Sequence, residues 1–303
     1  MKNLKMLLAG LICLIACTPG NMPKDKFVRV DGEYLIEPDG DTLFIKGTNL
    51  GNWLNPEGYM FGFSKTNSAA MIDRMFCELV GPDFTAEFWK KFKDNYVTRG
   101  DIRFIASTGA NTIRVPFHYK LFTDEDYMGL KSDQDGFKRL DDVIGWCREF
   151  GLYVILDMHD APGGQTGDNI DDSYGYPWLF ESEESQKLFC RIWRDIAEYY
   201  RNEPVVLAYD LINEPIAPYF ENVDELNALL EPLHKRVTAV IREVDPNHII
   251  MLGAPQWNGN FAPFTDWTYD DNIMYTCHRY GGDASVAAIG NFIEFKAKTN
   301  LPM

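Results

Sequence analysis

Short apolar runs rich in β-branched and aromatic residues recur along most of the chain, and stretches with helical periodicity separate them. Six runs have the length and composition of strands, at residues 43–47, 112–116, 153–158, 205–212, 249–252 and 273–277. Four stretches between them have helical periodicity, at residues 88–106 with a break near Arg99-Gly100, 140–150, 185–200 and 223–244. Strands that alternate with helices predict one parallel sheet covered by helices.

The segment before the first strand has a different pattern. Residues 27–45 alternate apolar and polar positions and carry Asp-Gly pairs at Asp31-Gly32 and Asp39-Gly40. Alternation with period two, interrupted by Asp-Gly turns, predicts a β-hairpin. We expect this hairpin to plug the floor of a barrel formed by the later strands.

Polar side chains follow almost every predicted strand. They are Asn49 and Glu57, Arg114 and His118, His159, Asn213 and Glu214, Gln256, and His278. A (β/α)8 barrel gathers its active site at this rim, because the loops after the strands converge there. An open doubly wound sheet ranks second, since Gly47 to Asn52 lacks the spacing of a phosphate-binding glycine loop. The predicted fold is therefore an α/β (β/α)8 barrel with about six of its eight strands present.

The first sixteen residues have the pattern of an export signal. Lys2 and Lys5 precede an apolar run that is too short to remain as a membrane span. The sequence Leu14-Ile15-Ala16-Cys17 resembles a bacterial lipobox, which favours lipid attachment at Cys17 over an ordinary cleaved signal. The predicted organisation is a signal peptide at 1–16, a linker at 17–26 and a barrel at 27–303. The expected location is the bacterial cell envelope, with the protein lipid-anchored after export across the inner membrane.

Charge and cysteine content exclude several other classes of protein. The formal net charge is −16 and becomes −18 without the two leader lysines, which makes nucleic acid an unsuitable partner. Beyond Cys17, the remaining cysteines lack the spacing of a zinc site, and Cys147 and Cys190 fall on the apolar faces of predicted helices. A disulfide among Cys77, Cys147, Cys190 and Cys277 stays open at this point.

The strongest chemical signal is Asn213-Glu214-Pro215 at the end of the fourth predicted strand. A carboxylate there points into the rim of a barrel, and the preceding amide can bond a sugar hydroxyl. Three other motifs occur in the same order as in one known family: Asn111 to Pro116, Leu156 to His159, and His278-Arg279-Tyr280. On these motifs the chain resembles glycoside hydrolase family 5, from about Lys46 to its last residue.

The resemblance implies a role for each residue that matches a family motif. Glu214 would be the acid/base of a retaining hydrolase that acts through a covalent glycosyl-enzyme and needs no cofactor or metal. Arg114 would keep the nucleophile ionised, and His159 and Asn213 would bind the sugar at the cleavage point. His278 and Tyr280 would orient the nucleophile or the sugar above it. The substrate would be a β-linked glucan or oligosaccharide, and the complete protein would be a monomer.

Two longer motifs resemble the branch of this family that contains exo-β-1,3-glucanases. They are Gly47 to Leu54 and His159 to Gly167. In that branch an acid after the first motif binds the terminal sugar, which corresponds to Glu57, and an asparagine in the second loop corresponds to Asn169. Linkage, and exo or endo action, stay open because the branch cleaves several β-linkages.

Aromatic side chains in the loops after strands could stack on sugar rings. Trp178, Trp257 and Trp267 are the candidates, and packing of each ring against its own loop is the alternative. Trp257 is the one we assign to substrate binding.

Two alternatives to a glycosidase are a metal-dependent hydrolase and a glycan-binding surface lipoprotein without catalysis. The first would use acidic and histidine side chains between Asp157 and Asp172, but their spacing forms no compact ligand set. The second would explain why no second catalytic carboxylate appears. We expect instead that the nucleophile follows residue 303, so that residues 1–303 alone would be inactive and poorly soluble. Glu294 is a poor substitute, since it lies within a helical pattern.

Overall fold

The computed structural model describes residues 26–129, 135–168 and 170–303. Cys17 and Asn169, two residues singled out above, lie outside these ranges. A two-stranded antiparallel hairpin, β1 (Arg29–Asp31) and β2 (Tyr34–Ile36), precedes a six-stranded parallel sheet. The strands of that sheet are β3 (Gly47–Asn49), β4 (Thr112–His118), β5 (Tyr153–Asp160), β6 (Val206–Asp210), β7 (Ile249–Gly253) and β8 (Ile273–Thr276).

The strands lie side by side in chain order from β3 to β8, and helices occupy most of the connections between them. The helices are α1 (Ala69–Val80), α2 (Pro82–Asn95), α3 (Arg99–Ser107), α4 (Asp135–Phe150), α5 (Glu183–Tyr200) and α6 (Val223–Arg242), followed by the single turn α7 (Pro255–Asn258) and by α8 (Gly290–Thr299). The prediction of a parallel α/β sheet is confirmed. Within the described residues β3 and β8 each have a single neighbouring strand in the sheet.

The first strand begins four residues later than its apolar pattern indicates. Thr42 bridges to Ile36, and the N–H of Leu43 donates to the carbonyl of Leu35 at 2.8 Å. These residues extend the hairpin instead of the sheet. Apolar content does not separate the two, because Leu43 is buried as part of the hairpin as well.

The sequence pattern missed α1 and gave α2 and α3 as one interrupted helix. The break lies just before Arg99, where the carboxylate of Asp101 accepts a hydrogen bond from the N–H of Thr98 at 2.8 Å. A carboxylate in the first turn that satisfies a free N–H begins a new helix. The predicted break is therefore confirmed to within a few residues.

Both faces of the sheet are covered. Ile113, Val115, Leu156 and Ile250 belong to the core that packs against the helices. On the opposite face Ile155, Met251 and Met274 pack with Val28 and Leu35 of the hairpin. The N–H of Val30 also donates to Asn272, directly before β8, at 2.9 Å. The hairpin thus covers the ends of the strands that lie away from the polar rim, as predicted.

Cys147 and Cys190 are buried, as their helical positions predict, and Cys77 and Cys277 are half-buried. All four are free thiols, and burial raises the pKa of Cys147 to about 12. None of the helices in the described ranges has the length and apolar content needed to cross a bilayer.

Candidate active site

Six of the predicted site residues meet at the carboxyl ends of the parallel strands. Arg114 lies on β4, His159 on β5, and Asn213 and Glu214 directly after β6, while Glu57 and His278 follow β3 and β8. Because parallel strands end at the same edge of the sheet, residues that are far apart in the sequence come into contact here.

Arg114 is the most heavily bonded residue of this rim. Its Nη1 lies 2.9 Å from Asp157, its Nε and Nη2 each lie 2.8 Å from Asp210, and Nη2 also donates to the Oδ1 of Asn213 at 3.0 Å. Burial works against the charged guanidinium, but Asp157 and Asp210 outweigh it and raise the pKa of Arg114 above its ordinary value. Burial raises the pKa of Asp210 to about 6, and Arg114 limits that rise.

His159 links the buried charges to the outer part of the site. Its Nδ1 lies 2.7 Å from Asp157, and its Nε2 lies 3.5 Å from Glu57 and 3.3 Å from the amide nitrogen of Asn213. Burial lowers the pKa of His159, but Asp157 and Glu57 outweigh it and raise the pKa to about 10. The two carboxylates therefore favour the positively charged form of the ring.

Glu57 is buried although it lies in a loop. Its own N–H donates to Oδ1 of Asn52 at 2.9 Å, and Asn52 adopts a left-handed φ of 64°. Asparagine is one of the few residues that tolerates this conformation, because its short amide can bond locally. The loop after β3 thus directs Glu57 toward His159.

Glu214 projects from the end of β6 and is half-buried. Its Oε1 lies 2.7 Å from Nδ1 of His278, and both side chains keep about one seventh of their surface exposed, 15% and 14%. A carboxylate held at one oxygen by an imidazole keeps its second oxygen for another partner. This arrangement suits an acid that must reach a bound molecule.

Two tyrosines form the outer edge of this cluster. Tyr280 is 81% exposed, and its ring centroid lies 6.3 Å from that of His278. Tyr59 also lies here, since burial first and then the charges of Glu57 and Glu214 raise its pKa to about 12. Tyr59 was missed in the sequence because nothing in its local pattern distinguishes it from other exposed loop aromatics.

The three candidate tryptophans differ in their surroundings. Trp257 is 37% exposed and lies in the left-handed turn α7 after β7. Trp178 is also exposed, but its ring contacts Tyr176 at 4.6 Å. Trp267 packs against Phe295 of α8, with the ammonium of Lys298 over its ring, so it belongs to the helix layer.

The acidic residues of the metal-hydrolase alternative fall into separate groups. Asp160 and Asp172 each lie 3.0 Å from Nε2 of His118, and together these three residues could hold a cation. The ammonium of Lys120 lies 3.6 Å from Asp172, so an ion pair already serves this carboxylate. Asp157 instead contacts Arg114, on the other side of the strand. Of the acidic and histidine side chains between Asp157 and Asp172 that the structure describes, only Asp160 and Asp172 belong to the group around His118.

Several residues that shape the site escaped the sequence analysis. Asp210 was read only as part of a strand, although it accepts a hydrogen bond from Nε of Arg114 at 2.8 Å and pairs in register with Asp157 on the neighbouring strand. Gln165 and Thr166 were read only as part of a loop motif, and they bond the backbone around Glu214. Their roles depend on register and loop packing, for which single-chain patterns give no signal.

A cleft of about 440 Å³ opens beside Arg114, between β3 and β8. Its walls are mostly apolar and include Phe44, Ile45, Met274 and Cys277. The site is therefore enclosed by neighbouring strands on one side and bordered by an open apolar cleft on the other.

The comparisons with known proteins agree on one family. The sequence profile of Cellulase (glycosyl hydrolase family 5) matches residues 77–301. A β-xylosidase of Phanerodontia chrysosporium is 31% identical over 277 residues, which cover 90% of this chain and 56% of that protein. A probable glucan 1,3-β-glucosidase A of Aspergillus fumigatus is 30% identical over 247 residues, covering 77% of this chain and 55% of the relative. The chain thus spans about half the length of these curated relatives.

Among solved structures, an endogalactoceramidase superimposes with a TM-score of 0.65 at 17% sequence identity. The superposition covers 91% of this chain and 66% of that one. At this identity the likeness shows the fold alone. It confirms the (β/α)8 barrel architecture, of which the described residues form six strands.

Proposed function

Because the chain belongs to the cellulase family, glycosyl hydrolase family 5, we propose that the complete protein is a retaining glycosidase that cleaves β-linked glucan or oligosaccharide, with Glu214 as its acid/base. The observation that carries the proposal is the position of Glu214. Its carboxylate lies at the end of β6, bonded to His278 on one oxygen and open to the rim on the other.

In this mechanism Glu214 protonates the departing glycosidic oxygen and later removes a proton from the attacking water. The contact between Nδ1 of His278 and Glu214 occupies Oε1, which leaves Oε2 to carry the transferred proton. A general acid must lie within hydrogen-bond reach of the atom it protonates, and a carboxylate that is only half-buried meets this condition at the rim.

Arg114, His159 and Asn213 provide the polar floor of the cleavage site. Arg114 and His159 carry positive charge beside the position of the sugar, which favours an ionised carboxylate there. Asn213 is held by Arg114 through Oδ1, so its amide group has a fixed direction. Glu57, Tyr280 and Trp257 are proposed to contact the sugar from the rim.

The second carboxylate of a double displacement is proposed to lie beyond residue 303. Asp157 and Asp210 are fully buried and bonded to Arg114, so neither is free to attack a sugar carbon. Glu294 is exposed on α8. Two carboxyl groups about 5 to 5.5 Å apart would be required for retention, and Glu214 supplies one.

The choice of a β-glucan as substrate rests on the relatives, one of which is described as a glucan 1,3-β-glucosidase. Another is described as a β-xylosidase, so the sugar and the linkage need a direct test. A panel of β-1,3-, β-1,4- and β-1,6-glucans and xylo-oligosaccharides, with the product anomer followed by NMR, would decide both. Inverted product would contradict the retaining mechanism.

The acid assignment is tested by Glu214→Gln in the full-length protein. Loss of general-acid assistance should lower the rate on natural glucan by about 10²- to 10⁴-fold. Aryl glycosides with good leaving groups need less protonation and should lose much less. The rates kcat/KM on both substrate types give the comparison.

Glu294→Gln is the matched control, since it makes the same change at an exposed helical position and should keep the wild-type rates. Equal losses on glucan and activated substrates in Glu214→Gln would remove the acid assignment. If the full-length wild-type protein binds glucan without cutting any of these substrates, the non-catalytic glycan-binding alternative holds instead.

We also propose that the protein is anchored to the cell envelope through lipid on Cys17. The support is the sequence Leu14-Ile15-Ala16-Cys17 after a short apolar run. Cys17→Ser should move the protein to the soluble fraction or leave it unprocessed. Unchanged fractionation and unchanged mature mass, measured by mass spectrometry, would contradict the anchor.

A further inference from the structure

The turn that carries Glu214 has an unfavourable backbone conformation. Glu214 has a φ of 46° and Ile216 a φ of 55°, both in the left-handed region. This conformation costs on the order of 1 kcal/mol or more for a residue with a Cβ, and isoleucine is branched at that atom. Ile216 is also fully buried. A turn of this kind persists only when surrounding contacts determine it.

Those contacts come from two adjacent residues of the loop after β5. The hydroxyl of Thr166 donates to the carbonyl of Glu214 at 2.7 Å, and the amide of Gln165 donates to the carbonyl of Asn213 at 2.9 Å. In return the N–H of Ile216 donates to the carbonyl of Gln165 at 2.8 Å, and the N–H of Ala217 donates to that of Thr166 at 2.9 Å. Four hydrogen bonds therefore fix the turn on both sides of Glu214.

The two loop residues are themselves rigidly placed. Both are fully buried, and Gln165 also donates to the carbonyl of His159 at 2.7 Å and accepts from the N–H of Ala161 at 3.0 Å. The carboxylate of Asp171 accepts from the N–H of Thr166 at 2.6 Å. The amide oxygen and the amide nitrogen of Gln165 are both hydrogen-bonded, so this side chain links the loop after β5 to the turn that carries Glu214.

We propose that Gln165 and Thr166 are positioning residues for the acid/base, which hold the 213–217 turn in its left-handed form so that the Glu214 carboxylate meets His278 and the substrate. The proposal rests on the proposed function of Glu214. It assigns Thr166 no contact with substrate. Its hydroxyl acts only through the carbonyl of Glu214, while Gln165 aligns the neighbouring Asn213 with His159.

Thr166→Val in the full-length protein tests this role, because valine keeps the shape and removes the hydroxyl. A small misplacement of a catalytic group can lower the rate about 100-fold. We expect kcat/KM on natural glucan to fall about 10- to 100-fold, with a loss of only a few fold on an aryl glycoside with a good leaving group. Thr166→Ser restores the hydroxyl and should return the ratio of the two rates to nearly the wild-type value.

Thr85→Val is the matched control. Thr85 is buried, and its hydroxyl donates to the carbonyl of Gly81 at 2.9 Å in α2, outside the rim cluster. A merely structural role for Thr166 would make both valine variants lower Tm and leave the ratio of rates unchanged, which overturns the proposal. If Thr166→Val does not fold, a folded Thr166→Ser with a strongly altered ratio overturns it too.

Rates on natural glucan and on aryl glycosides also distinguish the positioning role of Thr166 from the acid role of Glu214. If Glu214→Gln shows the pattern expected of a missing acid while Thr166→Val does not, the positioning role is wrong and the acid assignment stands. If Glu214→Gln lacks that pattern, the proposed function falls first. Substrate-selective losses in both variants, with recovery in Thr166→Ser, support both assignments.

Discussion

The sheet has two halves that differ in how their side chains are held. On β4 to β6, Asp157 and Asp210 are buried and both contact Arg114, whose side chain is only 13% exposed. On the β3 and β8 side, Tyr280 is 81% exposed, and Phe44, which is 68% exposed, lines an open cleft. A strand with neighbours on both sides receives partners for its side chains from each of them. The side chains of the site are therefore held in place best on the strands that have a neighbour on each side.

The largest expected effect comes from breaking the paired half. Arg114→Met would leave Asp210 buried without its cation and Asp157 with His159 alone, which should lower the free energy of unfolding by about 3–5 kcal/mol. Denaturant unfolding followed by circular dichroism measures this change. The activity proposed for the full-length protein should be lost as well, because the floor of the site collapses with the ion pairs.

Arg99→Met is the control for that experiment. Arg99 forms a two-pronged ion pair with Glu149, but both side chains are about half exposed to solvent. Exposed ion pairs contribute about 0–1 kcal/mol. If Arg114→Met costs no more than Arg99→Met, the buried cluster does not stabilise this half of the rim.

A smaller effect is expected at Asp171, a buried carboxylate bonded mainly to backbone N–H groups. Burial raises its pKa to about 7, well above the value near 4 of an unfolded aspartate. The folded state then binds a proton that the unfolded state releases, so the contribution of Asp171 to stability falls as pH rises from about 4 to about 7. The advantage in Tm of wild type over Asp171→Asn should shrink across this window. A difference in Tm that is constant, or that grows with pH, would contradict it.

The smallest effect on stability is expected on the open half. Phe44→Ser removes an exposed ring beside the edge of β3 that has no neighbouring strand among the described residues. The free energy of unfolding should therefore change by less than about 0.5 kcal/mol. Self-association of the 303-residue chain should decrease, because exposed strand edges with apolar side chains promote pairing between molecules. Sedimentation velocity measures the change.

Phe104→Ser serves for comparison, since Phe104 is 70% exposed on α3 and lies away from the sheet edge. Similar reductions in both variants would show that general surface apolarity causes the association. A reduction confined to Phe44→Ser would locate it at the edge of β3.

Much of the sheet could be predicted from periodicity. Strands buried on both faces have continuous apolar runs, and β4 to β8 all begin within a residue of the predicted positions. β3 was displaced because Leu43 is buried equally well by the hairpin. The helix α1 was missed because its sequence follows a long loop and lies outside the strand-helix alternation.

Part of the site could also be predicted. Glu214, Arg114, His159 and His278 each stand on or just after a strand within a recognisable motif, and the structure brings them together. Asp210 and Thr166 could not be found in this way. The importance of Asp210 depends on its register with Asp157, and that of Thr166 on the approach of two loops separated by nearly fifty residues.

The sequence by itself determined the order of strands and helices, the family and the edge of the sheet where polar chemistry collects. These features follow from local periodicity and short motifs, which are properties of neighbouring residues. The tertiary structure alone decided which carboxylates Arg114 binds, that His278 contacts Glu214, and that the Glu214 turn is held in a left-handed form. These depend on distances between residues far apart in the chain, which are fixed only when the strands pair and the loops pack.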